Sequence, residues 1–232
     1  MIILALDTSL SAAAACVLNT ETNQVLAYET LSMERGHAEA LLPLVDRVMA
    51  RVEGGFAALG RIAVTVGPGS FTGIRVGVAA ARALGLACEV PVVGVSTLAA
   101  LAAPMMNLEP PATVIAAVDA RHGQIYVQAF TPEGRTLISA RIAPVRDAVR
   151  LFGSGPLRIV GSGAQAVAIE AWTMGLKADV ADVLNAPDIV YVARLGLLAD
   201  PTVSARPLYL KAPDAKPQVA KHIPLAGTNQ PF

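Results

Sequence analysis

Ile2-Ile3-Leu4-Ala5-Leu6-Asp7-Thr8-Ser9 opens the chain, and Val114-Ile115-Ala116-Ala117-Val118-Asp119-Ala120-Arg121 repeats its form in the second half. Each is a short apolar run that ends on an aspartate at a turn, the pattern of a buried strand entering a hairpin. In the first half, runs through Ala12 to Leu18 and Gln24 to Thr30 follow; in the second, Ile125 to Phe130 and Arg135 to Ile142. Aligning Asp7 with Asp119 superimposes the two meanders without a gap through their first two strands. The repeat predicts a duplicated α/β chain, two lobes each with a mixed sheet and helices and a cleft between them. Two unrelated hairpins in one α/β domain is the alternative.

Between the meanders, Leu41, Val45, Val48 and Val52, with Leu42 and Met49 beside them, keep the spacing of one apolar helix face. Pro43 is tolerated only near a first turn, so this helix is expected to start later than His37 or to bend there. Ile62 to Val66 reads as a strand and Val76 to Ala87 as a helix, joined by Gly67-Pro68-Gly69-Ser70-Phe71-Thr72-Gly73. Such a turn can aim N–H groups at an anion or let another surface come close. No lysine follows these glycines at P-loop spacing, and Ser70 or Thr72 reads better as a helix N-cap than as a nucleophile. Gly73, Gly77, Ala81 and Gly85 recur every fourth residue and make a stripe of small residues. Its occupant is this chain's own sheet or a partner's helix. The later segments predict a helix from Val145 to Leu151, a strand over Arg158 to Val160, a glycine turn at Gly161-Ser162-Gly163-Ala164, and a helix opened by Pro187 and Asp188 and running through Leu198.

The 232 residues are 54% hydrophobic, which argues for a large core and against disorder. Lys plus Arg equals Asp plus Glu at 18 each, so a chain that grips nucleic acid alone is not expected. Cys16 and Cys88 read as reduced thiols of a cytoplasmic protein, and Arg82, Glu89 and Pro91 interrupt the longest apolar stretch, so no membrane span is expected. His37, His122 and His222 are isolated, and none makes the i, i+4 pair of a helical metal site. Asp7, Thr8 and Ser9 offer a carboxylate and two hydroxyls for a hydrated metal and a phosphate, or simply cap a turn. Gly161 and Gly163 could pack on an adenine or let a helix start close to a sheet. In the second turn, Ala120-Arg121-His122 puts long side chains where a phosphate grip would favour glycine.

The two-lobed duplication is the arrangement of the actin-like superfamily of acetate kinases, sugar kinases and heat-shock ATPases. Asp7-Thr8-Ser9, Gly36-His37-Ala38-Glu39, the Gly67 to Gly77 run, Asp119-Ala120-Arg121 and Tyr209-Leu210-Lys211-Ala212-Pro213-Asp214-Ala215 together resemble the bacterial TsaB family, also called YeaZ. That resemblance implies a non-catalytic relative and partner of TsaD, which places a threonylcarbamoyl group on the adenosine beside a tRNA anticodon, with the ATPase TsaE as third component. It implies a TsaD heterodimer, a homodimer when TsaD is absent, tRNA contact only through the complex, and ATP and metal used by the partner subunits with no cofactor held tightly here. The metal-binding histidine pair of TsaD-like relatives has no counterpart in Thr97-Leu98-Ala99-Ala100-Leu101. The family's pairing surface corresponds to Glu39–Val52 and Phe71–Ala87, so Leu41, Val45, Val48, Met49, Gly73, Gly77, Ala81 and Gly85 are expected at the partner interface. Gly77→Leu is then expected to abolish the complex without unfolding the chain. Residues 1–103 are expected as the first lobe, 104–210 as the second and 211–232 as a Pro-rich tail. A phosphotransferase using Asp7 and the Gly161 loop, and a glycoprotease-like peptidase, are the alternatives.

Overall fold

The computed structural model describes residues 1–211; the expected tail, His222 and the end of the Tyr209–Ala215 motif lie outside the described residues. The first half runs β1 (Ile2–Asp7), β2 (Ala12–Asn19), β3 (Gln24–Ser32), α1 (His37–Met49), β4 (Leu59–Gly67), α2 (Phe71–Ala87), β5 (Val92–Ser96) and α3 (Thr97–Ala102). The second runs β6 (Thr113–Asp119), β7 (Gln124–Phe130), β8 (Thr136–Pro144), α4 (Val145–Val149), β9 (Leu157–Val160), α5 (Ala164–Thr173), β10 (Ala178–Asp182) and α6 (Ile189–Leu198). The sheets are β3-β2-β1-β4-β5 and β8-β7-β6-β9-β10, so each half repeats one strand order. Three strands pair as an antiparallel meander, and the last two join in parallel through helical crossovers. The expected duplicated two-lobed α/β fold is therefore present.

Strands covered on both faces are apolar along their length, as β1 and β2 are up to their last residues Asp7 and Asn19, whereas the edge strand β8 alternates. Successive β2 residues serve opposite cores: Ala13, Ala15 and Val17 face α1 and α2, while Ala14, Cys16 and Leu18 face α6. Helix α1 begins at His37 and carries Pro43 within it on the outward side, so the expected later start is not seen. Asp188 caps α6 by accepting a bond from the Val190 N–H. Helix α3 and strand β10 do not stand out in the sequence, because five or six residues carry too little periodicity.

The division at residue 103 needs correction, because each lobe lends a helix to the other. Leu98, Leu101 and Ala102 of α3 pack with Val114, Ala116, Val118 and Phe130 of the second sheet. Ile189, Val192 and Ala193 of α6 pack with Ile3, Ala5, Cys16 and Val93 of the first. Arg61 fixes that return: one guanidinium nitrogen donates to the carbonyls of Gly196, Leu197 and Ala199 at 2.9, 2.9 and 3.2 Å, at the helix's negative end. Beyond α6, Ala205 joins the first core and the Leu208 N–H donates to Val66 O at 2.7 Å, so the last described segment also belongs to the first lobe. A two-faced sheet needs cover on both faces, and α1 and α2 supply only one.

Cys16 and Cys88 are free thiols, and burial pushes Cys16 up to about 12. Among the described residues no helix is long and apolar enough to cross a membrane.

Candidate functional site

The turn after β1 lies inside the protein. Asp7, Thr8 and Ser9 are all buried. Asp7 Oδ1 accepts from the Ser9 N–H at 3.0 Å, the Ser9 hydroxyl at 2.6 Å and the Thr65 hydroxyl at 2.5 Å. The Thr8 hydroxyl donates to Gly73 O at 2.7 Å. Burial pushes the Asp7 carboxyl above its ordinary value, against the opposing effect of the bonds from Ser9 and Thr65. The loop between β4 and α2 sits directly on this turn, its Ser70 N–H donating to Ser9 O at 2.8 Å. A Cβ at Gly69 would run into Ser9 O, and one at Gly73 into Thr8 O. The glycines let the chain's own backbone take the close approach that a phosphate would need. Asp7, Thr8 and Ser9, as they stand, do not fit a nucleotide phosphate: both hydroxyls are spent on internal bonds and none of the three lines the cleft.

The second glycine turn corrects the adenine expectation in the same way. Gly161 has φ +104°, and a side chain there would strike Ala117 O; the Gly163 N–H donates to that oxygen at 3.0 Å. Both glycines therefore serve the junction of β9 and α5 with β6. Ser70 caps α2, its Oγ accepting from the Gly73 N–H at 3.2 Å.

The expected interface residues also need correction. Leu41, Val45, Val48, Met49 and Ala81 are buried in the first core. A Cβ at Gly77 would lie 2.6 Å from Thr8 Oγ1, and one at Gly85 would strike Val92. The stripe thus lets α2 lie against the β1 turn and the sheet, and Gly77→Leu would disturb the fold itself. Periodicity reports the face that packs, and here it packs on this chain.

What α1 and α2 present outward is a different set. Leu42 and Pro43 are exposed on α1; Arg75, Ala79, Ala83 and Leu86 are exposed on α2 at helical spacing, Leu86 at 84%. Leftover apolar residues opposite the core face were the signal that could have found them. At the start of α2, Arg75 lies 4.7 Å over the Phe71 ring, which stacks on Tyr209 with centroids 5.0 Å apart. A groove of about 390 Å³ separates the first turns of the two helices, between Glu34–Glu39 and Ser70–Val76. Through Glu34, His37 and Ser70 it continues into the interlobe cleft of about 640 Å³. Asp119, Arg121 and Ser162 wall the cleft from the second lobe, and His37 Nε2 is 2.9 Å from Leu10 O on the first. Among the described residues, no group of three or more His, Cys, Asp or Glu side chains converges in a way that could hold a metal.

Residues 24–193 match the family model described as TsaD: tRNA N6-adenosine threonylcarbamoyltransferase. The chain is 29% identical over 227 residues to the tRNA threonylcarbamoyladenosine biosynthesis protein TsaB of Haemophilus influenzae, covering 90% of this chain and 93% of that one. Its identity to the Escherichia coli K12 protein of the same name is 36% over 126 residues, 54% of this chain and 53% of the relative. The solved structure of YeaZ from Pseudomonas aeruginosa superimposes with a TM-score of 0.74 at 25% identity, covering 90% of this chain and 99% of that one.

Proposed function

The chain belongs to the family of the TsaD model, on its TsaB (YeaZ) side, and from that membership we propose that it works in tRNA threonylcarbamoyladenosine biosynthesis as a partner subunit that carries out no transfer itself. It binds TsaD through the outward faces of α1 and α2 and so activates the transferase, with TsaE as the third component. Alone it pairs with a second copy through the same face. ATP and metal act on the partner subunits, and tRNA is held by the complex. The observation that carries this reading is the exposed row of Ala79, Ala83 and Leu86 beside Leu42. Small residues at i and i+4 let a second helix approach closely, and a large leucine open to water at the end of the row gains about 1.5–3 kcal/mol when covered. A phosphotransferase would need the Asp7 turn open to the cleft, and that turn is sealed by Gly69 and Gly73.

The test is reconstitution of tRNA threonylcarbamoylation from purified TsaD, TsaE, ATP, a source of threonylcarbamoyl-adenylate and tRNA, with and without this chain. Product formation should depend on it. Leu86→Glu should abolish both TsaD binding and product while leaving the melting temperature within about 2 °C, because surface substitutions stay within about 0.5 kcal/mol. Activity that is indifferent to the chain would overturn the reading.

A further inference from the structure

The turn joining β6 to β7 holds two side chains in a backbone conformation they disfavour. Arg121 has φ +65°, His122 +56° and Gly123 +72°, so three consecutive residues are left-handed and only the last is glycine. Asparagine or glycine would close such a hairpin with far less strain. The turn is held firmly: the Ala120 N–H donates to Gln124 O at 2.9 Å, the Gln124 N–H to Arg121 O at 3.1 Å and the Arg121 N–H to Asp119 Oδ1 at 2.8 Å. The Asp119 N–H in turn donates to Ser162 Oγ at 3.1 Å, and the Val145 N–H to Gly123 O at 3.3 Å. Yet both long side chains are exposed, and neither makes a hydrogen bond or ion pair among the described residues. Among the described residues the turn's backbone hydrogen bonds hold it in place but no contact of either side chain offsets the strain, and strain of this kind collects at contact and switch sites.

Arg121 lines the interlobe cleft, and the opposite wall includes Glu34, His37 and Ser70, the residues through which the cleft opens into the groove between α1 and α2. A protein seated on those helices therefore has a continuous path to the turn. We propose that the Ala120–Gly123 turn is a second contact point for the partner on α1 and α2, with the Arg121 guanidinium receiving an aspartate or glutamate of that partner. A guanidinium fork takes a carboxylate through two parallel bonds, and a rigid turn presents it with little ordering cost. A protein carboxylate is favoured over RNA phosphate because the chain has equal numbers of acidic and basic residues, without the basic excess that a polyphosphate backbone calls for.

This inference rests on the TsaD-binding reading, and the experiment separates the two. Binding of purified TsaD is measured for the wild-type chain, Arg121→Asn and His122→Asn at about 0.1 M and about 1 M salt, where charge screening extends over roughly 10 and 3 Å. Asparagine tolerates the left-handed backbone, so Arg121→Asn should raise the melting temperature by about 2–4 °C. The same substitution should weaken TsaD binding at least about tenfold at low salt, with much less difference at high salt. Without the guanidinium, a carboxylate of the partner stays unpaired in the cleft, which accounts for an effect of that size. Wild-type binding that Arg121→Asn leaves unchanged would overturn the second contact while sparing the helix-face interface. Absence of wild-type binding would overturn the function and this inference together. An Arg121→Asn defect seen with a tRNA anticodon stem-loop and not with TsaD would assign the turn to RNA and also overturn the proposal.

Discussion

Gly77→Ala tests the inward placement of the glycine stripe. The new Cβ would sit 2.6 Å from Thr8 Oγ1 and 3.4 Å from Val64 Cγ2. Val64 can stay, but the threonine hydroxyl has to move, and it is the donor to Gly73 O at 2.7 Å in a buried, β-branched side chain with little rotamer freedom. Leaving that hydroxyl and carbonyl unpaired costs about 1–3 kcal/mol, and overpacking costs about 1–3 kcal/mol more. Against this, alanine gains about 1 kcal/mol over glycine in a helix interior. The balance is a loss of about 1–5 kcal/mol, which at about 2–4 °C per kcal/mol lowers the melting temperature by roughly 2–20 °C. Chemical denaturation of Gly77→Ala, Thr8→Ala and the double variant makes the test specific. Removing the hydroxyl first frees the space, so Gly77→Ala should become neutral or stabilising in the Thr8→Ala background, with a coupling of about 2 kcal/mol or more. If the stripe instead faced a partner, Gly77→Ala would stabilise the isolated chain by about 1 kcal/mol and weaken only the complex. That result would refute the packing argument.

Arg61→Ala should destabilise the chain by about 2–3 kcal/mol, because three carbonyls at the end of α6 lose one charged donor, and hydrogen exchange should rise first in Ile189–Leu198; uniform exchange would count against this return clamp. Burial raises the folded-state pKa of Asp7 above its ordinary value, so its titration stabilises the fold in acid and that contribution is lost as pH rises through the raised value. Asp7→Asn should therefore match or trail the wild type near pH 3 and gain on it steadily toward neutral pH in thermal melts, and a difference that shrinks with rising pH would contradict the assignment. Leu86→Glu and Arg121→Asn should both weaken TsaD binding, the first without a change in stability and the second with a gain.

The sheets were legible because their strands need no long-range information to be recognised. Ile2–Asp7 and Thr113–Asp119 are apolar runs bounded by turns, and two equivalent meanders followed by helices imply one strand order twice. Ser70 and Asp188 were legible as caps for a local reason, since a capping side chain acts on an N–H two or three residues away. The candidate site was less legible than the sheets. Spacing picked out the apolar face of α1 and the small-residue stripe of α2, and the family resemblance carried those residues to an interface, whereas they face this chain's own core and sheet.

The amino-acid sequence by itself determined the duplicated two-lobed α/β architecture, the membership of the TsaB side of the TsaD family and the strand-to-helix position of the glycine loop. The architecture and the loop position follow from local periodicity and turn chemistry, and the membership from the resemblance of short motifs, which the match of residues 24–193 bears out. Only the tertiary structure decided which way the glycines face, that α3 and α6 cross between lobes, and that Arg121 meets the mouth of a cleft shared with the first lobe. A stripe of small residues records that some backbone approaches closely without saying whose. Here it is the chain's own Thr8 and Val64, brought beside Gly77 by parallel pairing of β1 with β4, a contact between segments more than fifty residues apart.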